Sequence, residues 1–166
     1  MTSTIPIPLI SDAVFSPCQT WRYLLRRIWD HDVPPCYWIM LNPSTADAEK
    51  NDPTVTRCIK FSHRWGHGGC VVLNIFAYRS TDPRGLRTYS DPIGPVNDAF
   101  ISGIPEDATV VCAWGEWGSL NDRARDVLKI LKARPMCLGV NKSGHPKHPL
   151  YVKGDTALMG LEMDGV

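Results

Sequence analysis

The chain has 166 residues and a formal net charge of +1, with 43% hydrophobic and 21% charged residues. This length suits one domain with a substantial core, so we expect a single domain over residues 1–166, and the composition excludes disordered and fibrous proteins. No apolar stretch is long enough to cross a bilayer, and the start of the chain lacks signal-peptide features. We therefore expect a cytoplasmic protein with no membrane partner.

The six cysteines form no Cys-x-x-Cys pair. Several lie in or beside apolar stretches, so we expect buried, reduced thiols and neither disulfides nor structural zinc. His63, His67 and Cys70 have a spacing that can hold a metal ion, but the glycines after residue 65 end the helix before both imidazoles share a face. We expect no metal and no cofactor.

The first part of the chain predicts extended structure. Prolines recur through residues 1–17, which excludes a long helix there. Residues 21–29 alternate as in a strand, and although part of this segment also has helical spacing, its aromatic and β-branched content favours a strand. We expect it to lie antiparallel beside the next strand, around Trp38, as an N-terminal hairpin. That next strand stops at Asn42-Pro43, because proline cannot continue a ladder.

The remaining elements alternate. Asp52 and Pro53 predict a helix start, and apolar residues follow at helical spacing until the glycines of residues 66–69. Next come a strand at 71–74, a long loop at 77–95, a helix at 97–104, a strand at 108–114, a helix at 121–133, a strand at 137–140, and a tail of loop or short strand. This order predicts an α/β fold, a three-layer sandwich whose central, mainly parallel sheet has four strands besides the hairpin.

Polar residues follow the ends of the four predicted parallel strands. Asn42, Asn74, Gly115 and the loop that carries His145 and His148 should therefore meet at one edge of the sheet, where ligands bind in open α/β sheets. Residues 54–81 and 127–154 contain no Asp or Glu but several Lys and Arg. These two segments predict a positive surface that can meet a phosphate backbone.

In their order, four short motifs resemble those of the uracil-DNA glycosylase superfamily: Leu-Asn-Pro-Ser at 41–44, Val-Leu-Asn at 72–74, Ala-Trp-Gly at 113–115 and His-Pro-Lys-His-Pro-Leu at 145–150. The chain is still more similar to a bacterial and phage family known only as a domain of unknown function. That family carries Asn-Pro-Ser-Thr-Ala-Asp, Asp-Pro-Thr, Asn-Ile-Phe-Ala-Tyr-Arg, Trp-Gly and Gly-His-Pro-x-His-Pro-Leu-Tyr motifs, all of which this chain contains.

The glycosylase resemblance implies residue roles. Asn42 would orient the attacking water, although an amide is a poor general base, and Asn74 would read the polar edge of a flipped-out base. His145 would donate to the base oxygen where negative charge develops, with His148 as the alternative, and Leu150 would fill the gap left by the flipped nucleotide. The implied substrate contacts are Pro43, Ser44, Asn74, Tyr78, Trp114, Gly115 and Leu150, and the implied DNA-backbone contacts are Arg79, Lys142, Lys147 and Lys153.

The sequence also departs from the glycosylase pattern. Ser44 stands where those relatives place tyrosine or glycine, and Met40 where they place glycine. The motifs therefore do not define which substrates the pocket admits. The resemblance predicts a metal-independent DNA glycosylase-like hydrolase acting on a modified or damaged pyrimidine. The alternatives are a non-catalytic module that binds nucleic acid or nucleotides and an enzyme acting on free nucleosides, and each motif taken alone also suits a turn or a packed strand end.

Overall fold

A computed structural model describes residues 5–163, so the first four and last three residues of the predicted domain lie outside the described residues. The strands are β1 (Ile10–Phe15), β2 (Arg22–Ile28), β3 (Cys36–Met40), β4 (Gly69–Asn74), β5 (Val110–Cys112), β6 (Pro135–Cys137) and β7 (Met159–Gly160). The helices are α1 (Pro53–Arg64), α2 (Gly85–Thr88), α3 (Asn97–Ser102) and α4 (Arg123–Ile130), and two 3-10 helices span Glu116–Asp122 and Pro149–Tyr151.

The seven strands form one mixed sheet in the order β1-β2-β4-β3-β5-β6-β7. Strands β4, β3, β5 and β6 run parallel, whereas β1, β2 and β7 are antiparallel to their neighbours. The α/β class is confirmed, with more strands than predicted. The predicted pairing of β2 with β3 was wrong, since β2 pairs with β1 and β4. Strand β4, which follows α1 in the chain, lies between β2 and β3 in the sheet.

Helices cover both faces of the sheet. Helix α1 packs on one face, where Val55, Ile59 and Phe61 join Trp38 and other strand residues in one buried cluster. Helices α2, α3 and α4 contribute Leu86, Ile101 and Val127 to a second cluster. The two clusters therefore lie in separate layers on the two sides of the sheet. Among the described residues, no helix is long and apolar enough to pass through a bilayer.

Helix α1 begins as predicted. Asp52 caps it, because its Oδ1 accepts a hydrogen bond from the Val55 amide at 2.8 Å, and Pro53 occupies the first turn. The predicted helix at 121–133 is shorter in the structure. A 3-10 helix precedes it, and the left-handed φ angles of Asn121 and Asp122, 55° and 53°, delay the start of α4 to Arg123.

The cysteines are all free thiols, as predicted. Five of them are buried, but Cys18 is exposed, which the expectation of buried thiols did not foresee. The long loop at 77–95 contains the four-residue helix α2, and its later half packs near β2, since the Trp21 indole donates to the Asp91 carbonyl at 2.9 Å.

Candidate functional site

A cavity of about 720 Å³ opens at the carboxyl ends of the parallel strands. This volume is in the range of small-molecule sites. Of the residues predicted from the sequence, the cavity brings together Asn42, Ser44, Asn74, Trp114, Gly115, Lys147, His148 and Leu150. It is also lined by residues that the sequence did not indicate for a site, chiefly Arg22, Asp52, Glu116, Trp117 and Tyr151.

Several predicted site residues lie elsewhere. Tyr78 stacks on Tyr89 with ring centroids 4.0 Å apart, so its face is occupied. The Arg79 guanidinium lies 4.7 Å from the Phe15 ring centroid. Residues Pro43, Lys142, Lys153 and His145 are likewise not among those that line the cavity. The aromatic side chains that line the cavity are those of Trp114, Trp117 and Tyr151.

Asn74 is the last residue of β4 and is 1% exposed. Its backbone is fixed on both sides, because Asn97 Nδ2 donates to the Asn74 carbonyl at 2.9 Å and the next amide, of Ile75, donates to the Met40 carbonyl at 2.9 Å. Neither atom of its side-chain amide, Oδ1 or Nδ2, has a hydrogen-bond partner among the described residues. A buried polar atom without a partner costs about 1–3 kcal/mol, so this fixed, unpartnered amide beside the cavity is a candidate for binding a ligand.

Asn42 follows β3 and joins the two loops that form the cavity wall. Its Nδ2 donates to the Ser80 carbonyl at 2.8 Å and to the Pro43 carbonyl at 3.2 Å, and the Ser80 amide donates to the Pro43 carbonyl at 3.0 Å. These bonds orient the Asn42 amide and leave its Oδ1 as an acceptor. The start of the long loop, with Ser80, Thr81 and Pro83, therefore forms one side of the cavity.

His148 is held by the turn that follows it. Its Nδ1 accepts a hydrogen bond from the Leu150 amide at 3.2 Å, so the neutral ring carries its proton on Nε2. Burial lowers the pKa of His148, and the Asp52 charge opposes that change. Arg57 of α1 anchors the same turn through its Nε, 3.1 Å from the Pro149 carbonyl oxygen, and its Nη2, 2.5 Å from that of Val152.

His145 lies on the other side of Trp114. It is 8% exposed, and its Nδ1 accepts from the Trp114 indole nitrogen at 3.2 Å. It lines a separate cavity of about 280 Å³, and burial lowers its pKa. Gly118 packs against this pair so closely that an added Cβ would lie 2.2 Å from the Trp114 ring. Of the two histidines, the structure thus places His148, the alternative, with Asn42 and Asn74.

Arg22 was not predicted as a site residue. It lines the cavity at 2% exposure, its Nη1 donates to the Ala46 carbonyl at 3.0 Å, and its Nε has no partner among residues 5–163. Burial lowers the pKa of Arg22 to about 10, although the Asp52 charge acts in the opposite direction. The sequence offers no signal that separates this arginine from Arg26 and Arg27 of the same strand.

Two carboxylates line the cavity, those of Asp52 and Glu116. Asp52 caps α1 and also lines the cavity, and the sequence predicted only the capping role. Asp47, considered as a water-positioning group in the Asn42 loop, instead accepts the backbone amides of Glu49 and Lys50. In the described part of the chain, no three His, Cys, Asp or Glu side chains are grouped so that they could hold a metal ion.

A comparison with protein families matches residues 22–150 to the family described as "Protein of unknown function (DUF1643)". This segment begins at β2 and ends at the His-Pro-Lys-His-Pro-Leu motif, so it contains the predicted motifs. Comparisons with curated proteins and with solved structures found no match. Because the family match spans most of the chain, the predicted membership in a family of unknown function is confirmed, and the chain belongs to the DUF1643 family.

Proposed function

We propose that the chain is a glycosylase-like hydrolase that binds a flipped-out pyrimidine base of DNA, such as a modified or damaged one, and cleaves its N-glycosidic bond. The observation that carries this proposal is the buried Asn74 amide, which offers one donor and one acceptor without a protein partner. A pyrimidine presents an adjacent donor and acceptor on its Watson–Crick edge, and a buried amide pairs with such an edge by two hydrogen bonds.

The position of the cavity supports a likeness to the uracil-DNA glycosylase superfamily. Asn42, Asn74 and Gly115 follow three neighbouring parallel strands, and the turn with His148 follows the fourth, in the order of the motifs that carry the resemblance. In that layout the base enters between the strand ends.

The chemistry follows from the groups around the proposed base. A water held by Asn42 Oδ1 attacks C1′ of the sugar, the bond from C1′ to the base nitrogen breaks, and its electron pair moves into the base and its carbonyl oxygen. The Asp52 carboxylate accepts the water proton, because an amide at position 42 cannot. His148 donates from Nε2 to the base oxygen as it becomes negative, a role that its neutral, fixed ring suits.

The rim of the cavity suits a nucleic-acid strand. Leu150 and Tyr151, which are 44% and 83% exposed, stand beside Lys147 at the cavity edge. Exposed apolar side chains of this kind fill the gap left by a flipped nucleotide, and Lys147 can neutralise a phosphate. Lys142 and Lys153 are exposed outside the cavity and extend the same role.

The test is base release from oligonucleotides that each carry one uracil or one modified pyrimidine, scored by cleavage at the resulting abasic site. We expect the wild-type chain to release at least one base, and Asn74→Leu and His148→Asn to release none while remaining folded. His63→Asn, a change at an exposed histidine of α1, is the control and should leave the rate unchanged. Equal turnover by the wild type, Asn74→Leu and His148→Asn would contradict the assignment.

A second candidate is a non-catalytic module that binds nucleic acid or nucleotides. The observation in its favour is the residue at position 42, to which the resemblance gives the role of orienting water: it is an asparagine, and an amide is a poor general base. This candidate predicts DNA binding that weakens steeply with salt and no abasic product from any substrate of the panel.

A further inference from the structure

Arg22 is a buried charge with few partners among the described residues that line the cavity. Its guanidinium makes one hydrogen bond, from Nη1 to the Ala46 carbonyl, and Nε is buried without an acceptor. No carboxylate oxygen of the described residues lies within 4.0 Å of it, since the ion pairs found involve Arg26, Arg84 and Arg123. A buried cation is normally balanced by a close anion or by several acceptors, and Arg22 has neither.

An irregularity in β2 directs Arg22 towards the cavity. Val14 of β1 lies opposite Leu24, but the next residue, Phe15, lies opposite Arg22, so Tyr23 has no partner in the register. This extra residue is a β-bulge, and it changes which face of the sheet the preceding side chain occupies. Arg22 consequently lies on the side of Ala46 and α1, where it lines the cavity.

Arg22 and Asn74 line the same cavity from neighbouring strands. The antiparallel pairing of Leu25 with Val72 directs the start of β2 towards the end of β4, and the Arg22 amide donates to the carbonyl of Ala77, three residues after Asn74, at 2.9 Å. Both side chains are almost completely buried, at 2% and 1% exposure. A ligand that fills this cavity can therefore contact both the Asn74 amide and the Arg22 guanidinium.

Other groups near Arg22 determine the electrostatic potential in this part of the cavity. The first turn of α1 contributes Thr54 and the helix N-terminus, which favours negative charge, while the Asp52 carboxylate opposes a second anion. Asp52 Oδ1 is engaged by the Val55 amide, and the loss of hydration at Arg22 outweighs the attraction of Asp52. Arg79 and Arg27 add further positive charge nearby.

We infer that Arg22 forms a second subsite on the cavity floor, which binds an oxyanion carried by the same ligand whose polar edge Asn74 reads. This inference rests on the proposed function and adds the class of substrate: a pyrimidine nucleotide or base with a carboxylate or phosphate group. A guanidinium fork pairs with two oxygens of such a group, whereas a neutral substituent would leave the buried charge uncompensated.

The test is calorimetric titration of the full chain with neutral and anionic ligands in matched pairs. Uracil is compared with 5-carboxyuracil, and uridine with uridine 5′-monophosphate. We expect at least one anionic ligand to bind about tenfold to a hundredfold more tightly than its neutral partner, because a hydrogen bond to a charged group contributes on that scale. The pair that shows the gain identifies its source, a carboxylate on the base or a phosphate on the sugar.

The variants assign the gain to Arg22. We expect Arg22→Gln to abolish it and Arg26→Gln to leave it intact, since Arg26 lies on the same strand but pairs with Asp12 near the surface. If Arg22→Gln does not fold, Arg22→Lys keeps the charge and a donor for Ala46 but loses the fork. A tenfold smaller gain in Arg22→Lys then supports the subsite, and an undiminished gain overturns it.

The remaining outcomes separate this inference from the proposed function. Equal binding of neutral and anionic ligands by the wild type, or an undiminished gain in Arg22→Gln, would overturn the oxyanion subsite and leave the base-binding role of Asn74 in place. If the wild type bound none of the four ligands, the subsite would be contradicted, whereas base release from the oligonucleotides decides the proposed function.

Discussion

Two buried arginines on β2, Arg22 and Arg27, differ in how many hydrogen bonds their guanidinium groups make. Arg22 and Arg27 are each 2% exposed. Arg27 donates five hydrogen bonds, to the Asn51 side chain and to four backbone carbonyls, whereas Arg22 donates one and has an unpartnered Nε. Arg27 supports the loop that follows β3, and Arg22 lines the cavity. Arg27 is thus a buried charge that is satisfied where it supports the fold, whereas Arg22 keeps an unpartnered donor where it lines the cavity.

A large effect on the rate of base release is expected from Asp52→Asn, at the cavity wall. Asparagine caps a helix about as well as aspartate, so the change removes the proposed proton acceptor and keeps the cap. We expect the rate of base release to fall by about a hundredfold to ten-thousandfold, the usual contribution of a general base. The midpoint of thermal unfolding should stay within a few degrees of the wild type. Loss of stability without loss of rate would restrict Asp52 to its capping role.

The same substitution at both arginines makes the comparison quantitative. Arg27→Met should lower the free energy of unfolding by about 3 kcal/mol, because it leaves several acceptors without a donor. Arg22→Met should cost less than about 1 kcal/mol, since one hydrogen bond is lost and an uncompensated buried charge is removed. Urea unfolding of both variants measures these changes in the free energy of unfolding. Equal decreases would show that Arg22 stabilises the fold as much as Arg27 does.

Asn74→Leu tests the other free polar group on the cavity floor. Leucine has the same branching and number of side-chain heavy atoms as asparagine and carries no polar atoms, so it removes two unpartnered buried polar atoms. We expect the free energy of unfolding to rise by about 1 kcal/mol while base release is lost. A decrease in stability, measured by urea unfolding, would mean that the Asn74 amide contributes to the fold.

The smallest effect is a pH dependence from His148. Burial lowers its pKa in the folded protein below the ordinary value near 6.5, so the folded state resists protonation. Its contribution to stability is therefore complete above that value and is lost as the pH falls through the folded pKa. Base release should decline over the same range, because protonation of Nδ1 breaks the bond from the Leu150 amide.

Thermal unfolding of the wild type and His148→Asn as a function of pH isolates this contribution. His67 and His145 also have lowered pKa values, so the wild type should lose stability in acid faster than the variant and the variant should keep a residual slope. Identical slopes would show that His148 titrates as it does in the unfolded chain.

Local signals in the sequence were sufficient for much of the fold. Two adjacent residues, Asp52 and Pro53, predict where α1 begins. The alternation of strands and helices along the chain predicts the α/β class. The partner of β2 could not be predicted, because adjacency along the chain favours a hairpin with β3, whereas the sheet is decided by how β4 returns after α1. The shortened α4 depends on two left-handed residues, Asn121 and Asp122, that helical periodicity does not reveal.

The candidate site was foreseeable to the extent that it lies at strand ends. Asn42, Asn74 and Gly115 come directly after apolar runs, so their shared edge follows from the parallel order. The choice between His145 and His148 needed the Trp114 contact, which joins residues far apart in the chain. Arg22 was not predicted as a site residue, because the bulge at Tyr23 directs it towards the cavity and the alternation of residues in the sequence does not reveal a bulge.

The central claim is that the Asn74 amide is free in order to bind a pyrimidine. The most direct measurement is the side-chain amide signal of Asn74 in a ¹⁵N–¹H spectrum, identified by its loss in Asn74→Leu and followed as uracil, 5-carboxyuracil, uridine and uridine 5′-monophosphate are added in turn. We predict that at least one ligand moves it downfield, as its N–H gains an acceptor, and that the buried Asn97 amide, already bonded to the Asn74 and Ile75 carbonyls, stays in place. An unmoved Asn74 signal with all four ligands, when the rest of the spectrum shows binding, would contradict the account.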